Sequence, residues 1–443
     1  MIYYIDPQAG NDKNDGISQK APRRNYRSLE VNPGDTILFK RGSVIRDWLV
    51  PTAGSADAPV CYGAYGEGNS PAFYGSADVS SPDDWNEIKP NIWEYTKPLD
   101  SEVCNFIFDN GRVGATLRWD EKGLKNPGDW FDSRMGMGEN TAEKVAQRVL
   151  LCSVGNPGRV FSHIECALRG KRCLVQNKNY TIFEDLSFFG SGVHVFSGGA
   201  HDVTIRRCSF CFIGGAVWNR GLKIRFGNAI EFWNIGHDIL IEDCYFNNIY
   251  DSAITQQGGK EVEPARDIVM RHNLFIACGM GDYEGRDKMT VNCEFSDNLC
   301  LDAGYGFTGF GDTKPRRSEI YPLPMGHHIF MWRITEPVEG GSFIVKNNIF
   351  HESTGANIYA YIDDGAAAQM ILENNTYFTS EDLLTRLGSL HYKKTDPLTY
   401  DKGGKFEDID LMPLIEKWFS ETNTDRTMAK LFTDPSESIG GKN

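Results

Sequence analysis

The chain has 443 residues, a formal net charge of −14 and 12% aromatic residues, with nine Trp. The negative charge argues against nucleic acids and anionic membranes as partners. A chain of this length exceeds one compact core unless it grows along an axis, as solenoids do.

The eleven cysteines are odd in number, and Cys208 and Cys211 are the one close pair. Such thiols are typical of small buried residues in a reduced protein, and we favour this over disulfides or a metal site. Met1 is followed by IYYIDPQAG, without the basic and apolar regions of a leader. We therefore expect a cytoplasmic protein, or a secreted one if a leader has been removed.

Residues 1–79 begin with the β-rich run IYYI, a polar loop and the segments GDTILFKRG and PVCYGAYGEG. They predict an N-terminal cap and the first coils of a solenoid. Residues 80–172 break the pattern and are rich in Trp and Gly. We interpret them as an inserted β-rich subdomain beside those coils.

Residues 173–380 carry seven copies of one eight-residue pattern of strand and turn. The copies are TIFEDLSF, VTIRRCSF, ILIEDCYF, IVMRHNLF, CEFSDNLC, FIVKNNIF and MILENNTY. The third position is always apolar, and the sixth is Asn in the last four copies, which indicates a turn. Successive copies lie 22, 36, 29, 25, 50 and 27 residues apart, as in solenoid coils with loops of variable length.

A coil of this length without helical periodicity fits three short strands and three turns. We predict an all-β fold, a right-handed parallel β-helix, and consider an antiparallel sandwich or propeller the alternative. Residues 381–443 contain SEDLLTRLGSLHYKK and FEDIDLMPLIEKWFSETNTDRTMAKLF, both with helical spacing. They predict a short helical C-terminal cap over the last coil.

The order YYIDPQAGNDKNDG, NPGDTILFKRG and APVCYGAYGEGNSPAFYG resembles the N-terminal part of β-helix carbohydrate-active proteins. These belong to the pectate-lyase-like superfamily, which includes β-helix glycoside hydrolases. The resemblance continues through GDWFDS and the repeated coils after residue 180. It implies a parallel β-helix that acts on glycosidic linkages in oligo- or polysaccharides, without singling out one reaction.

A second strand follows each strand and turn. These strands read AIEFWNI, AITQQGG, GMGDYEG, HHIFMWRI and NIYAYIDD. Alternation of side chains predicts that their polar residues and Trp residues share one exposed face. The predicted substrate-binding residues on this face are Trp233, Gln257, Arg286, His328, Trp332 and Asp363.

Glycoside hydrolysis requires two carboxyl groups. Asp282 and Glu284 are two residues apart, so an extended chain places them on the same face. Glu231 lies two coils earlier, and its separation also suits such enzymes. Asp282, Glu284 and Glu231 are therefore the predicted catalytic residues, and the spacing leaves retention and inversion open.

We expect no metal or other cofactor, because His327 and His328 fit neither an HxH nor an HExxH pattern. One alternative function is a polysaccharide lyase, which would use calcium and a base such as Arg286 or Arg316 on a uronate. Another is a non-catalytic carbohydrate-binding β-helix. The long insertion 305–326 predicts a lid or subsite wall and mildly favours exo action on oligosaccharides.

Overall fold

The computed structural model describes residues 1–112, 114–137, 146–170, 173–259, 261–306, 325–380, 383–393 and 396–426. The chain winds as a right-handed parallel β-helix, in which three long sheets run along the axis and successive coils add a strand to each. The predicted fold class is therefore confirmed. The described residues contain no helix that is both long and apolar enough to cross a bilayer.

Strands β1 to β13 belong to the first coils and the inserted region. They are β1 Ile2–Ile5, β2 Thr36–Lys40, β3 Val44–Ile45, β4 Val60–Tyr65, β5 Ala72–Tyr74, β6 Ser76–Asp78, β7 Trp85–Lys89, β8 Ile92–Tyr95, β9 Val103–Phe108, β10 Thr116–Leu117, β11 Asp129–Asp132, β12 Val149–Cys152 and β13 Ile164–Leu168.

Strands β14 to β36 form the regular coils and one side hairpin. They are β14 Cys173–Gln176, β15 Thr181–Glu184, β16 Ser187–Phe189, β17 His194–Ser197, β18 Ala200–Arg206, β19 Ser209–Ile213, β20 Ala216–Asn219, β21 Ile224–Phe226, β22 Ile230–Trp233, β23 Gly236–Glu242, β24 Tyr245–Ile249, β25 Ser252–Gln257, β26 Arg266–Arg271, β27 Leu274–Ile276, β28 Gly281–Arg286, β29 Cys293–Ser296, β30 Leu299–Ala303, β31 His327–Trp332, β32 Phe343–Lys346, β33 Ile349–Ser353, β34 Ile358–Tyr361, β35 Met370–Glu373 and β36 Thr376–Phe378.

The last strands are β37 Leu384–Leu387, β38 Leu390–Lys393 and β39 Lys405–Phe406. The helices are α1 Pro157–Val160, α2 Asp364–Ala367 and α3 Leu411–Thr422. Short 3-10 turns occupy Pro82–Asp84, Asp109–Gly111, Glu121–Gly123 and Pro397–Thr399.

The three long sheets are named A, B and C. Sheet A has the order β1-β2-β4-β15-β18-β23-β26-β29-β32-β35. Sheet B has the order β3-β5-β16-β19-β24-β27-β30-β33-β36-β39. Sheet C has the order β14-β17-β22-β25-β28-β31-β34-β37-β38. Between the regular coils the pairing is parallel, so residues of equal phase stack from coil to coil.

The repeated pattern spans the corner between sheets A and B. Its third position lies in sheet A and its eighth in sheet B, and both point into one continuous apolar core. The fifth position has a left-handed backbone in all seven copies, with φ from 50° to 58°. These residues are Asp185, Arg207, Asp243, His272, Asp297, Asn347 and Asn374. Asp and Asn tolerate this conformation, so the fifth position, not the sixth, makes the turn.

The Asn residues at the sixth position form a buried hydrogen-bonded ladder. The Nδ2 of Asn273 donates to Asn298 Oδ1 at 3.1 Å, and Asn298 and Asn348 each donate to the next Asn in the same way. Asn375 ends the ladder by donating to Asp401 at 2.8 Å. Each Oδ1 also accepts a backbone N–H from the preceding copy, so the ladder satisfies main-chain groups at the corner.

Asn348→Ala is expected to destabilise the protein by about 3 kcal/mol, because it leaves the buried backbone N–H of Asn298 without its acceptor and removes the hydrogen bonds from Nδ2 to Asn375 Oδ1 and to the backbone oxygen of Phe295. Denaturant unfolding measures the loss. The matched control is Asn86→Ala at an exposed position of β7, with an expected change within about 0.5 kcal/mol. Equal stabilities for the two variants would contradict a structural role for the ladder.

The inserted region forms two small, mainly antiparallel sheets beside the first coils. Their orders are β10-β11-β12-β8-β7 and β6-β13-β9. They enclose a second apolar core with fully buried Trp130 and Phe108 at its centre. Trp130 is therefore a core residue.

The C-terminal region requires a correction. The segment predicted helical around residues 383–393 forms the antiparallel hairpin β37–β38, which extends sheet C. Helix α3 is present, but it packs on the outer side of sheet B through Trp418 and Phe419. Tyr400 and Phe406 pack against the end of the main core instead. The hairpin and the following loop thus cover the last coil, and α3 covers a flank.

Helix α3 docks beside a His–Asp pair. Trp418 Nε1 donates to the backbone oxygen of His272 at 2.8 Å. The hydrogen bond from His272 Nδ1 to Asp243, 2.7 Å long, raises the pKa of His272 above 6.5.

A raised His pKa stabilises the fold fully below the unfolded pKa, and this stabilisation is lost as pH rises through the folded pKa. We expect the free energy of unfolding of the wild type to exceed that of His272→Asn by less at about pH 8.5 than at about pH 6. The change should be no more than about 1 kcal/mol, because the His272 ring is partly exposed. Unfolding curves at the two pH values measure it. A pH-independent difference would contradict the raised pKa of His272.

Candidate active site

The outer face of sheet C carries two rows of side chains that the strand register fixes. The first row contains Glu231, Thr255, Glu284, Phe330 and Tyr359. The second row contains Trp233, Gln257, Arg286, Trp332 and Tyr361. On each strand, the residue just before the first row and the residue between the two rows point into the core. Ile254 and Tyr283 are examples of the former. We call the two rows the sheet C face.

Glu231 is buried, with 4% of its surface exposed, and is surrounded by donors. Ser197 Oγ donates to Oε1 at 2.8 Å, and Asn228 Nδ2 donates to Oε2 at 3.2 Å. His194 Nε2 lies 3.5 Å from Oε2. Because His194 Nδ1 accepts the backbone N–H of Asn228, the proton of a neutral ring sits on Nε2, facing the carboxylate.

Glu284 has no exposed surface and accepts hydrogen bonds of a different kind. Arg286 donates to Oε1 through two guanidinium nitrogens, with Nε at 2.6 Å. Trp332 Nε1 donates to the same oxygen at 3.2 Å, and Ser252 Oγ donates to Oε2 at 2.8 Å. Glu284 therefore accepts charge-assisted hydrogen bonds from a cation, whereas the hydrogen-bond donors to Glu231 are uncharged groups.

A chain of hydrogen bonds joins the two carboxylates. The side chain of Asn228 donates to Glu231 and accepts the backbone N–H of Ser252 at 2.9 Å, and Ser252 Oγ donates to Glu284. Thr255 lies between the two acids in the register. Two strand spacings separate their Cα atoms, about 9.6 Å.

The prediction that Asp282 shares this outward face with Glu284 is wrong, and so is the prediction that His328 is exposed. Both side chains have no exposed surface. Asp282 Oδ2 bonds His328 Nδ1 at 2.7 Å, and the His328 ring stacks on the core residue Phe350. Burial raises the pKa of Asp282, and His328 opposes this. Neither group can reach a substrate on the sheet C face.

The cause is the corner between sheets B and C, after which β28 begins at Gly281. Two successive side chains enter the core there, so alternation starts one residue later. Ala253 and Ile254 do the same one coil earlier, and both belong to the main core.

The other predicted binding residues lie around the carboxylates. The guanidinium of Arg286 sits 4.9 Å from the centre of the Trp332 ring, and that of Arg333 sits 5.5 Å from it. Trp233 is 41% exposed, and Gln257 donates to Thr255 at 3.1 Å. Asp363 is exposed beyond the end of β34, where it caps α2 through Gly365 and Ala366. Asp363 therefore has a structural role as a helix cap and does not lie on the sheet C face.

A cavity of about 710 Å³ opens at the first strands of sheet C, below the inserted region. Its lining includes the ion pair of Arg169 with Glu102, 3.1 Å long. Burial raises the pKa of Glu102, and Arg169 opposes this. Glu102 also accepts the backbone N–H of Val217 in the β20–β21 hairpin. The cavity thus lies at the β14 end of sheet C.

Sequence reasoning missed His194, Ser197, Asn228 and Ser252, which hold the two acids. The available signal was their register: each lies in or just before a strand of sheet C, beside a predicted residue on the same or a neighbouring coil. Most of the predicted lid, residues 307–324 with Arg316, lies outside the described residues.

No family model matches the chain. It is 32% identical over 123 residues to a lacto-N-biosidase of Bifidobacterium longum subsp. longum, a match that covers 26% of this chain and 7% of that protein. Among solved structures, XylC in complex with xylose is similar over 86% of this chain and 63% of XylC, with a TM-score of 0.53 and 14% identity. A GH136 lacto-N-biosidase from Eubacterium ramulus is similar over 92% of this chain and 68% of that protein, with a TM-score of 0.48 and 12% identity.

The chain spans less than two thirds of the length of XylC and a small part of the Bifidobacterium protein. The similarity to XylC at 14% identity is a similarity of fold. Together with the stacked sheets and the repeat register, it establishes the architecture. The chain is a right-handed parallel β-helix protein, with the fold of the β-helix carbohydrate-active enzymes that its sequence resembles.

Proposed function

We propose that the protein is a glycoside hydrolase that uses Glu284 and Glu231 as its pair of carboxyl groups. The observation that carries this proposal is their position: two buried acids lie two coils apart on one face of sheet C, joined through Asn228 and Ser252. Hydrolysis of a glycosidic bond needs one carboxyl to protonate the leaving oxygen and one carboxylate to attack the sugar or activate water.

The donors around each acid support different roles. Arg286, Trp332 and Ser252 all donate to Glu284, which suits an ionised nucleophile or base. Glu231 has uncharged donors and a His194 Nε2–H beside it, which suits the acid. Arg286 and Trp332 cover Glu284 and are partly exposed, so we expect both to move aside when a sugar binds.

The surroundings favour a neutral sugar. Arg286 is paired with Glu284, and Arg333 is paired with Asp287 at 3.0 Å. The aromatic rings of Trp233, Trp332 and Tyr361 offer flat platforms for sugar rings. The names of the similar proteins direct the first substrates to test, namely aryl lacto-N-biosides and aryl xylosides.

The proposal is tested by assaying these glycosides and uronate polymers in parallel. We expect released aryl alcohol from the glycosides. We expect no new absorbance at about 235 nm from the uronate polymers, because that absorbance comes from the unsaturated uronates that β-elimination produces. Absorbance at that wavelength would establish a lyase instead. Binding of sugar without turnover, with neither signal above a no-enzyme control, would establish a carbohydrate-binding protein.

Trp332→Ala is expected to lower kcat/KM by about tenfold or more, because it removes a donor to Glu284 and a platform for the sugar. Trp332→Phe keeps an aromatic ring, without the Nε1 donor, and should lose less. Michaelis–Menten kinetics on an aryl glycoside measure both. If the Ala variant matched the wild type, Trp332 would lie outside the binding site.

A further inference from the structure

A second group of polar side chains lies inside the coil, on the core side of sheet C. Asp282 on β28, Cys300 on β30 and His328 on β31 each offer a ligand atom, and these atoms lie within 4.8 Å of one another. All three residues have no exposed surface. Cys278 has no exposed surface either, and its thiol interacts with the Asp282 carboxyl. Three donors of metal-binding type thus converge in an apolar core, and a fourth, the Cys278 thiol, interacts with one of them.

Part of this group lacks hydrogen-bond partners. Asp282 Oδ2 and His328 Nδ1 bond each other at 2.7 Å. Among the described residues, His328 Nε2 is buried and has no hydrogen-bond partner, and Asp282 Oδ1 accepts from no N–H or O–H group, although the thiols of Cys278 and Cys300 interact with this carboxyl. Buried polar atoms usually have a partner in native proteins, so these atoms are available to bind a ligand.

We propose that Asp282, Cys300 and His328, with Cys278 as the fourth ligand, bind one zinc ion. Nitrogen, oxygen and sulfur donors in fourfold coordination are the set that zinc prefers, and thiolates disfavour calcium and magnesium. Ligand atoms around tetrahedral zinc are about 3.3–3.8 Å apart, so the three clustered donors need to close by no more than about 1 Å. With both thiols deprotonated, the Asp282 carboxylate and the two thiolates carry three negative charges, and the dication reduces the net charge of the buried site to −1, which lowers the cost of burial.

Such a site would be structural, because protein groups fill all four positions. It would tie sheets B and C together at their shared corner. Asp282 stands two residues before Glu284 on the same strand, so the ion would also hold the strand that carries a proposed catalytic residue. Since the cluster is enclosed, the metal would enter during folding and would resist chelators in the native state.

The test measures metal in the full chain. Protein produced with added zinc is dialysed against EDTA and analysed by elemental mass spectrometry, and protein refolded with Co²⁺ alone is examined for thiolate-to-cobalt absorption. We expect about one equivalent of zinc per chain and a cobalt band in the near ultraviolet. Cys300→Ser and His328→Asn should lower the zinc content at least about tenfold. The control Cys208→Ser removes a core thiol from another coil and should keep the metal.

The wild type alone can overturn the proposal. Less than about a tenth of an equivalent of zinc, with no cobalt band after refolding, would show that no site exists. Equal zinc in the wild type and Cys300→Ser would place the ion elsewhere. If the variants fail to fold, refolding the wild type with EDTA instead of zinc decides: a lower melting temperature supports the site, and an unchanged one contradicts it. None of these outcomes depends on glycosidase activity.

Discussion

Glu284→Gln is expected to reduce kcat/KM by at least about a hundredfold, whatever the leaving group of the substrate. Gln keeps the shape of the side chain and can still accept from Ser252, Arg286 or Trp332, but it is neither a nucleophile nor a base. Kinetics on aryl glycosides with good and poor leaving groups measure the loss. A uniform loss across the series would assign Glu284 to the step that attacks the sugar or activates water.

The control for this change is Glu294→Gln on sheet A, which makes the same chemical change at a partly buried, ion-paired carboxylate. Its activity should stay within about twofold of the wild type. Melting temperatures of both variants separate lost chemistry from lost folding. A folded Glu284→Gln protein with nearly full activity would remove Glu284 from the mechanism.

Glu231→Gln is expected to show a graded loss that depends on the leaving group. An acid matters most when the departing oxygen needs a proton, so a sugar leaving group should be cleaved at least about a hundredfold more slowly. A nitrophenyl leaving group departs without that help and should lose far less. Activity on both kinds of substrate, measured side by side, gives the ratio.

A reversed pattern would also be informative. If Glu231→Gln lost activity equally on all substrates while Glu284→Gln showed the graded loss, the two acids would exchange roles. His194→Gln serves as a companion change, because it removes the ring that faces Glu231 without altering either carboxylate. We expect this change to shift the alkaline limb of the pH–rate profile, where the proposed acid loses its proton. The effect on kcat at the optimum pH should be smaller.

Much of the fold follows from local pattern. The third and eighth repeat positions read from sequence are the ones that stack in sheets A and B, because apolar side chains at equal phase pack from coil to coil. Simple alternation also placed Glu231, Glu284 and Trp332 together on the sheet C face. Regular strands obey a period of two, so the prediction holds where the strand is regular.

The prediction failed where the backbone turns. Asp282 and His328 follow a corner, and two successive side chains there enter the core. The hairpin β37–β38 has a helix-like spacing of apolar residues, but the open edge of sheet C offered it strand partners. Contacts such as Asn228 with Ser252 join different coils, so no short motif in the sequence displays them.

The strands of sheet C stack at a fixed spacing, so adding or removing a coil between Glu231 and Glu284 changes their distance by one strand spacing. The one intervening strand, β25, acts as a spacer between them. Excising its coil would shorten the separation by one step of about 4.8 Å, and duplicating it would lengthen the separation by the same step. The carboxyl groups are about 5–5.5 Å apart in retaining glycosidases and about 6.5–9.5 Å apart in inverting ones, so one such step exceeds the difference between the two classes. The stereochemical outcome of such an enzyme could therefore change through gain or loss of a whole coil.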